Sequence, residues 1–159
     1  MNEQINALIS KHNSGYDDLQ DVLREIPSEV WDYKPAPDKW SIREIINHIT
    51  DCEANAFVRI RKIIAESGSA VTPYDQDLWA NNLFYSSRSI DSNMELFKNL
   101  RLINVALFLD LEDGVWDRFM KHPEYGKMSL MEYVKMTNEH VDTHIRQMRR
   151  NLASWYAQT

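Results

Sequence analysis

The sequence predicts an all-α protein, a four-helix bundle that forms a single domain over residues 1–159. Three observations lead to this fold class. Four segments repeat apolar residues at steps of three and four, which is the period of an amphipathic helix. Two of these segments open with a Ser-x-x-Glu capping box. The chain has only 4 glycines and 5 prolines, which favours long helices over a turn-rich β fold.

The first two predicted helices are separated by a loop rich in proline and tryptophan. The first helix carries an apolar stripe that starts at Ile5, and Pro27 ends it. The second begins after Ser41, whose capping box with Glu44 marks its start, and continues to about Glu66. The stretch SEVWDYKPAPDKW between them has three clusters of polar and proline signals and is predicted as a loop.

The second half of the chain supplies the other two long helices. A short helix is predicted over 75–82 and the third long helix over 89–113. In VWDRFMKHPEYGKM, a turn separates two short pieces of extended character that have no convincing strand partners. The fourth long helix opens with the capping box of Ser129 and Glu132 and continues through Leu152. Four such helices predict a bundle, and the long connections allow an order other than up-down-up-down.

Charge and composition narrow the classes of function. A net charge of -6 and a pI near 5.3 provide no basic surface for nucleic acid, and Arg146, Arg149 and Arg150 are better explained as complements to a helix dipole. The single cysteine, Cys52, excludes an internal disulfide and suits a reducing compartment. No apolar run approaches membrane-spanning length, and the first residues are too polar for a signal peptide. We therefore expect a cytoplasmic protein.

Three histidines form a candidate metal site. His140 and His144 are one helical turn apart, so their rings leave the same face and can converge on one ion. His48 lies between Ile45 and Ile49 on the inward stripe of the second helix. Three inward imidazoles from two helices match the three-ligand, open site of a catalytic divalent metal. The alternative is three separate core histidines, each with its own hydrogen-bond partner.

The other candidate ligands give weaker signals. His12 is expected in the core or a cleft, and His122 in a turn. Cys52 follows His48 by one turn and its thiolate would bind zinc, but a lone helical cysteine is more often a small buried apolar residue. Carboxylates beside the histidines could orient them from behind, although each is also explained as a solvated surface group; they are Glu44, Asp51, Glu139 and Asp142.

Aromatic and charged residues of the irregular segment after the second helix are candidates for a substrate cleft. Tyr74, Asp75 and Trp79 belong to PYDQDLW, and Trp40 would stand at the mouth. Asp75 is the candidate catalytic residue, because it could bond a metal-bound water or orient a substrate amine; the alternative is that it caps the short helix. Arg59 and its neighbour Arg61 could reach an acidic substrate, with solvation at the surface as the alternative.

These segments together resemble the DinB/YfiT-like superfamily, specifically its DinB-like branch. The resemblance is carried by KPAPDKWSIREIINHITDCE, PYDQDLWA, HPEYGKMSLMEY and NEHVDTHIRQMRR, which cover nearly the whole chain in order. It implies a four-helix bundle in which His48, His140 and His144 hold a divalent metal, commonly nickel or zinc, in an open cleft. It also implies a homodimer. Characterised relatives include S-transferases and isomerases that use a low-molecular-weight thiol, and others carry only a provisional metal-dependent hydrolase name.

The predicted function is therefore a metal-dependent enzyme acting on a small molecule. Open positions on a metal held by three neutral imidazoles would activate a thiol for S-transfer or a water for hydrolysis. S-transfer is slightly favoured. The alternatives are a non-catalytic bundle that binds a metal or ligand, and an interaction protein whose histidines only pack.

Overall fold

The structure, a computed structural model, describes residues 2–158 and confirms the all-α four-helix bundle. The four long helices are α1 (Glu3–Glu25), α2 (Ile42–Ala65), α4 (Ile90–Leu109) and α5 (Leu130–Tyr156), and the short helix is α3 (Gln76–Asn82). A strand pair, β1 (Phe119–His122) and β2 (Gly126–Ser129), precedes α5. None of the described helices has the length and apolar composition needed to cross a membrane.

The helix starts agree with the capping signals in the sequence. The Ser41 hydroxyl accepts a hydrogen bond from the Glu44 backbone N–H, and the Glu44 carboxylate accepts one from the Ser41 N–H. Ser129 and Glu132 form the same reciprocal pair at the start of α5. Such pairs satisfy backbone donors that a helix leaves open at its first turn. They therefore hold the starts of the two helices that carry the three candidate histidine ligands.

Two details of the sequence prediction were wrong. The extended pieces before α5 do have strand partners, since they pair with each other as an antiparallel hairpin with Phe119 opposite Ser129 and His122 opposite Gly126. Gly126 has a φ of 69°, a left-handed conformation that glycine adopts at no steric cost. The third long helix ends at Leu109, and a 3₁₀ turn at Asp113–Asp117 follows it.

The long helices pack in an order that differs from their order in the chain. α1 packs against α4 and α5, and α2 packs against the same two helices. The consecutive helices α1 and α2 therefore stand at opposite corners of the bundle. This arrangement makes α2 and α5 neighbours, although about 65 residues separate the end of one from the start of the other.

A buried polar layer divides the core into two apolar clusters. One cluster contains Leu19, Ile49 and Phe97, and the other contains Ile9 and Phe108. The layer between them has one or two residues from each long helix; its members are His12, Glu53, Arg101, Thr137 and Asn138.

Arg101 is the centre of this layer, with 1% of its surface exposed. Its Nε lies 3.0 Å from Glu53 Oε2, and one of its terminal nitrogens donates to the backbone carbonyl of His12 at 3.1 Å. A second donates to the carbonyl of Thr137 at 3.4 Å. A buried guanidinium needs several such acceptors, because an unpaired charge in the core costs several kcal/mol, of the order of 3–5. The polar layer thus fixes the four helices relative to one another.

Gly15 leaves the room that Arg101 occupies. A Cβ at this position would lie 2.2 Å from the Arg101 terminal nitrogen, so the guanidinium would have to move. Replacing a glycine inside a helix by alanine ordinarily stabilises a protein by about 0.5–1 kcal/mol. We predict the opposite sign for Gly15→Ala, a loss of about 1–3 kcal/mol in the free energy of unfolding, measured by urea denaturation.

Asn13→Ala is the matched control for this prediction, because Asn13 is exposed two residues earlier on the same helix. It should be neutral or slightly stabilising. A Gly15→Ala protein that is as stable as the wild type would show that the Arg101 side chain is not fixed by its partners.

Candidate metal centre

Three imidazole rings meet where α2 and α5 pack. His48 Nε2 lies 3.2 Å from His140 Nε2, and His140 Nε2 lies 3.0 Å from His144 Nε2. Two nitrogens bound at about 2.0–2.1 Å to one tetrahedral metal ion stand about 3.3 Å apart. The observed separations are close to this value. The residues present therefore fit a divalent metal ion.

The protonation of the rings also suits a metal ligand. Burial lowers the pKa of His48 to about 3 and that of His140 to about 4, and it lowers the pKa of His144 as well. The charges of neighbouring histidines contribute further to the first two shifts. All three imidazoles are therefore neutral at neutral pH, and a neutral imidazole offers the nitrogen lone pair that a metal needs.

Gln147 orients His144 from behind. Its side-chain oxygen lies 2.8 Å from His144 Nδ1. An amide oxygen only accepts, so Nδ1 carries the hydrogen and the lone pair is on Nε2, the nitrogen that faces the other two rings. The ring of Trp40 packs against that of His48, with 4.6 Å between centroids, and restricts its rotation.

Cys52 is a fourth candidate ligand, and with His48 and His140 it forms an alternative set that leaves out His144. Its sulfur lies 3.5 Å from His48 Nε2, and the ligand atoms of His48, Cys52 and His140 all lie within 4.8 Å of one another. The thiol also contacts the Tyr74 hydroxyl at 2.7 Å. Burial raises the pKa of Cys52 to about 11, so the sulfur carries its proton at neutral pH. The neutral thiol fits a wall residue, and a bound metal would be required to make it a thiolate.

Two of the three rings, those of His48 and His140, line a cleft of about 570 Å³ between α2, α5, the segment before α3 and the hairpin turn. Cys52 lines the cleft beside them, whereas His144 does not line it. The outer wall is held by backbone bonds between the segment after α2 and β1, where Lys121 N–H donates to the Ser69 carbonyl at 2.9 Å. Such a volume accommodates a small molecule.

Two other predicted site residues, Tyr74 and Asp75, line the cleft. Asp75 lies at the rim of the cleft and caps α3, because its Oδ1 accepts from the backbone N–H groups of Asp77 and Leu78. Its catalytic role stays a prediction. Tyr74 lines the cleft and packs on Trp79 with 4.5 Å between ring centroids.

The remaining histidines differ in their surroundings. His12 is fully buried in the polar layer, with its Nδ1 3.0 Å from Asn138 Oδ1. His122 lies in the hairpin as expected, and it also lines the outer part of the cleft.

The sequence reasoning missed the groups that surround the histidines. The four neighbouring carboxylates have partners of their own: Glu44 bonds Lys34 and the Ser41 N–H, and Asp51 accepts from Tyr85. Asp142 pairs with Lys11 at 2.7 Å, and Glu139 lies 3.8 Å from Lys135. Gln147 takes the place expected for a carboxylate. Its spacing of three residues after His144, one helical turn, was the signal that could have found it.

Sequence and structure comparisons give a consistent result. The family model described as DinB superfamily matches residues 13–148. A protein of Oceanobacillus iheyensis, provisionally named a metal-dependent hydrolase, is 26% identical over 147 residues, which is 90% of this chain and 85% of that protein. A Bacillus cereus protein with the same kind of name is 23% identical over 155 residues, covering 94% and 88%.

Two solved structures share the fold. YfiT from Bacillus subtilis, whose description gives an unusual four-helix bundle topology, superposes with a TM-score of 0.82 at 21% identity over 96% of this chain and 90% of YfiT. The mycothiol-dependent maleylpyruvate isomerase superposes with a TM-score of 0.72 at 10% identity, covering 93% of this chain and 63% of the isomerase chain.

The lowered histidine pKa values predict an acid-sensitive fold. In metal-free protein, the free energy of unfolding should fall as the pH decreases from about 6.5 to about 4, because the unfolded state takes up a proton on His140 that the folded state does not. This residue contributes up to about 1.4 kcal/mol per pH unit. His140→Gln should remove that contribution and give a shallower pH dependence in urea denaturation with a chelator present.

His122→Gln serves as the comparison, because His122 lies in the hairpin and its pKa is lowered less than that of His140. It should also flatten the pH dependence, but by less than His140→Gln does. An identical slope in His140→Gln and the wild type would show that His140 is protonated in the folded protein.

Proposed function

This chain belongs to the DinB superfamily, and we propose that it is a metal-dependent enzyme that activates a thiol or a water molecule for attack on a small-molecule substrate. His48, His140 and His144 are the proposed ligands. The observation that carries the proposal is the convergence of three neutral imidazoles, with Nε2 separations of 3.0 and 3.2 Å, beside a cleft that His48 and His140 line. Nickel and zinc are the proposed metals, because both accept imidazole nitrogen.

The ligand set explains why activation is the expected chemistry. A divalent ion held only by neutral ligands keeps its full charge and lowers the pKa of a bound thiol or water. The protein contributes the lone pairs of three rings, the orientation set by Gln147 and the packing of the Trp40 ring against His48. In S-transfer, the substrate thiol would lose its proton to solvent, and its sulfur would bond to an electrophilic carbon whose leaving group departs with the electron pair.

Thiol S-transfer is our first choice and hydrolysis the second. The name of one structural neighbour specifies a low-molecular-weight thiol, mycothiol, which supports a thiol as the small-molecule partner. The names of the sequence relatives specify hydrolysis, which supports water as the nucleophile. Both reactions use the same ligands and the same cleft. We place the activity in the cytoplasm, where the single free thiol of Cys52 would stay reduced.

The ligand set can be tested by metal content. Untagged protein should contain close to one nickel or zinc ion per chain by elemental analysis. His144→Ala should lower the metal affinity by about 100-fold or more, since removing a partner of a ligand already costs 10–100-fold. Cys52→Ser should retain the metal, and so should His122→Ala. If Cys52→Ser loses the metal and His144→Ala keeps it, the ligands are His48, Cys52 and His140, and our ligand set is wrong.

The His144→Ala variant also tests the activity. Wild-type protein should conjugate a panel of low-molecular-weight thiols to an electrophilic dye, and His144→Ala should lose this turnover. Arg150→Gln, at an exposed position of α5 that does not line the cleft, should keep it. Hydrolysis of ester substrates without thiol conjugation would select the second choice. A metal-loaded protein with neither activity would identify a binding protein.

We also propose a homodimer. α4 exposes apolar side chains that a lone bundle would leave in water, with exposed fractions of 47–55% for Leu96, Leu102, Ile103 and Leu109. A second copy that covers this face would bury them. Ile103→Lys should then shift the sedimentation coefficient from dimer to monomer, whereas Leu78→Lys, an equally exposed position on α3, should not. Wild-type protein that sediments as one chain would exclude the dimer.

A further inference from the structure

Arg59 is a cation at the cleft that the proposed chemistry does not use. It lies on α2, seven residues after Cys52 and eleven after His48, so two or three helical turns separate it from the imidazoles. It lines the same cleft as those residues. Its neighbour Arg61 does not line the cleft and instead donates to Asn104 Oδ1 at 2.9 Å. Of the two arginines singled out in the sequence, only Arg59 can meet a molecule bound there.

The Arg59 guanidinium has neutral partners and no carboxylate. One terminal nitrogen donates to the backbone carbonyl of Thr72 at 2.8 Å, and the group lies 6.0 Å from the centre of the Tyr74 ring. Among residues 2–158, no carboxylate forms an ion pair with Arg59, whereas several other arginine and lysine side chains in this part of the chain do pair with a carboxylate. The Tyr133 hydroxyl is a further hydrogen-bond partner of Arg59. A guanidinium has five N–H donors, so these two contacts leave donors available to a ligand.

The charge of Arg59 acts on the interior of the cleft. Burial is the main cause of the lowered pKa of His122, and the Arg59 charge lowers it further. Burial raises the pKa of Tyr133 to about 12, and the Arg59 charge opposes this. Glu53, which also lines the cleft, is compensated by Arg101 at 3.0 Å. Two carboxylates stand at the rim, Asp75 and Glu124, and they disfavour a ligand with several negative charges.

We propose that Arg59 binds a carboxylate of the substrate, so that the small molecule carries one anionic group on the order of 10 Å from its reacting atom. A rise of about 1.5 Å per residue puts the Cα atoms of His48 and Arg59 about 16 Å apart along α2. Both side chains tilt toward the N-terminus, and the longer arginine reaches further back, which shortens the separation between the imidazole and the guanidinium. Between the two ends, the wall includes apolar and aromatic side chains such as Pro73, Tyr133 and Met136. The ligand is thus an elongated monocarboxylate with an apolar middle. The position of the reacting atom rests on the proposed function, whereas the carboxylate site does not.

The carboxylate site can be tested without metal. Calorimetric titration of chelator-treated protein with octanoate should give binding at least about tenfold tighter than titration with octanol, because a hydrogen bond to a charged group contributes more than a neutral one. Arg59→Gln should remove this preference and Arg59→Lys should retain part of it. Arg150→Gln is the control, because it makes the same charge change at an exposed position of α5 that does not line the cleft.

The spacing is tested in cobalt-loaded protein with ω-mercaptoalkanoates and the matching mercaptoalkanols. Absorption from thiolate bound to cobalt should appear at lower concentration for mercaptooctanoate than for mercaptooctanol, and mercaptopropanoate, which is too short to reach both groups, should show no such advantage. In Arg59→Gln the two long thiols should bind equally.

The outcomes separate this inference from the proposed function. Equal binding of octanoate and octanol to the wild type overturns the carboxylate site, even if thiols bind cobalt. A carboxylate preference that persists in Arg59→Gln, with lowered thermal stability, assigns Arg59 to holding the Thr72 segment and overturns it too. A preference that Arg59→Gln removes, in protein that binds neither metal nor thiol, upholds the carboxylate site while the proposed function fails.

Discussion

The arrangement of this protein depends on one buried guanidinium. Arg101 contacts Glu53 of α2, the His12 carbonyl of α1 and the Thr137 carbonyl of α5, and its own backbone belongs to α4. Apolar contacts are not directional, so two apolar clusters alone would tolerate sliding or rotation of the helices. A buried charge with fixed acceptors does not tolerate such movement, because each broken hydrogen bond leaves a polar group unsatisfied. Gly15 is part of the same arrangement, since any side chain at this position would displace the Arg101 guanidinium.

The candidate metal centre inherits its geometry from this polar layer. Glu53 follows His48 by five residues on α2, and Thr137 precedes His140 by three on α5. The layer therefore sets the relative height of the two helices within about one or two turns of the imidazoles, where a shift of one residue along the axis would move a ring by about 1.5 Å. Metal coordination tolerates far less than that. The diagonal placement of α1 and α2 supplies the other condition, since it makes α2 the neighbour of α5.

Local signals in the sequence predicted the helices and the family. They did not predict contacts between residues that are far apart in the chain. Capping boxes at Ser41 and Ser129 fixed two helix starts because they depend on residues three apart. The strand pairing across Gly126, the ends of α4 and the contact of Cys52 with Tyr74 depend on which surfaces meet in the bundle. The histidines were identifiable because helical spacing puts two of them on one face. Their distance to His48 was not, because it depends on how α2 and α5 pack.

The distribution of charge links the two ends of the cleft. The chain has a net charge of -6, yet the imidazole cluster is neutral and Glu53 is matched by Arg101. A divalent ion at one end and Arg59 at the other would make the cleft an electropositive channel in an acidic protein. Low-dielectric walls focus such a field and raise the local concentration of anions. An anionic nucleophile with a distant carboxylate would be attracted at both ends of the cleft and would make apolar contacts between them. A neutral molecule would make only the apolar contacts. Selectivity would then follow from where the few uncompensated charges lie.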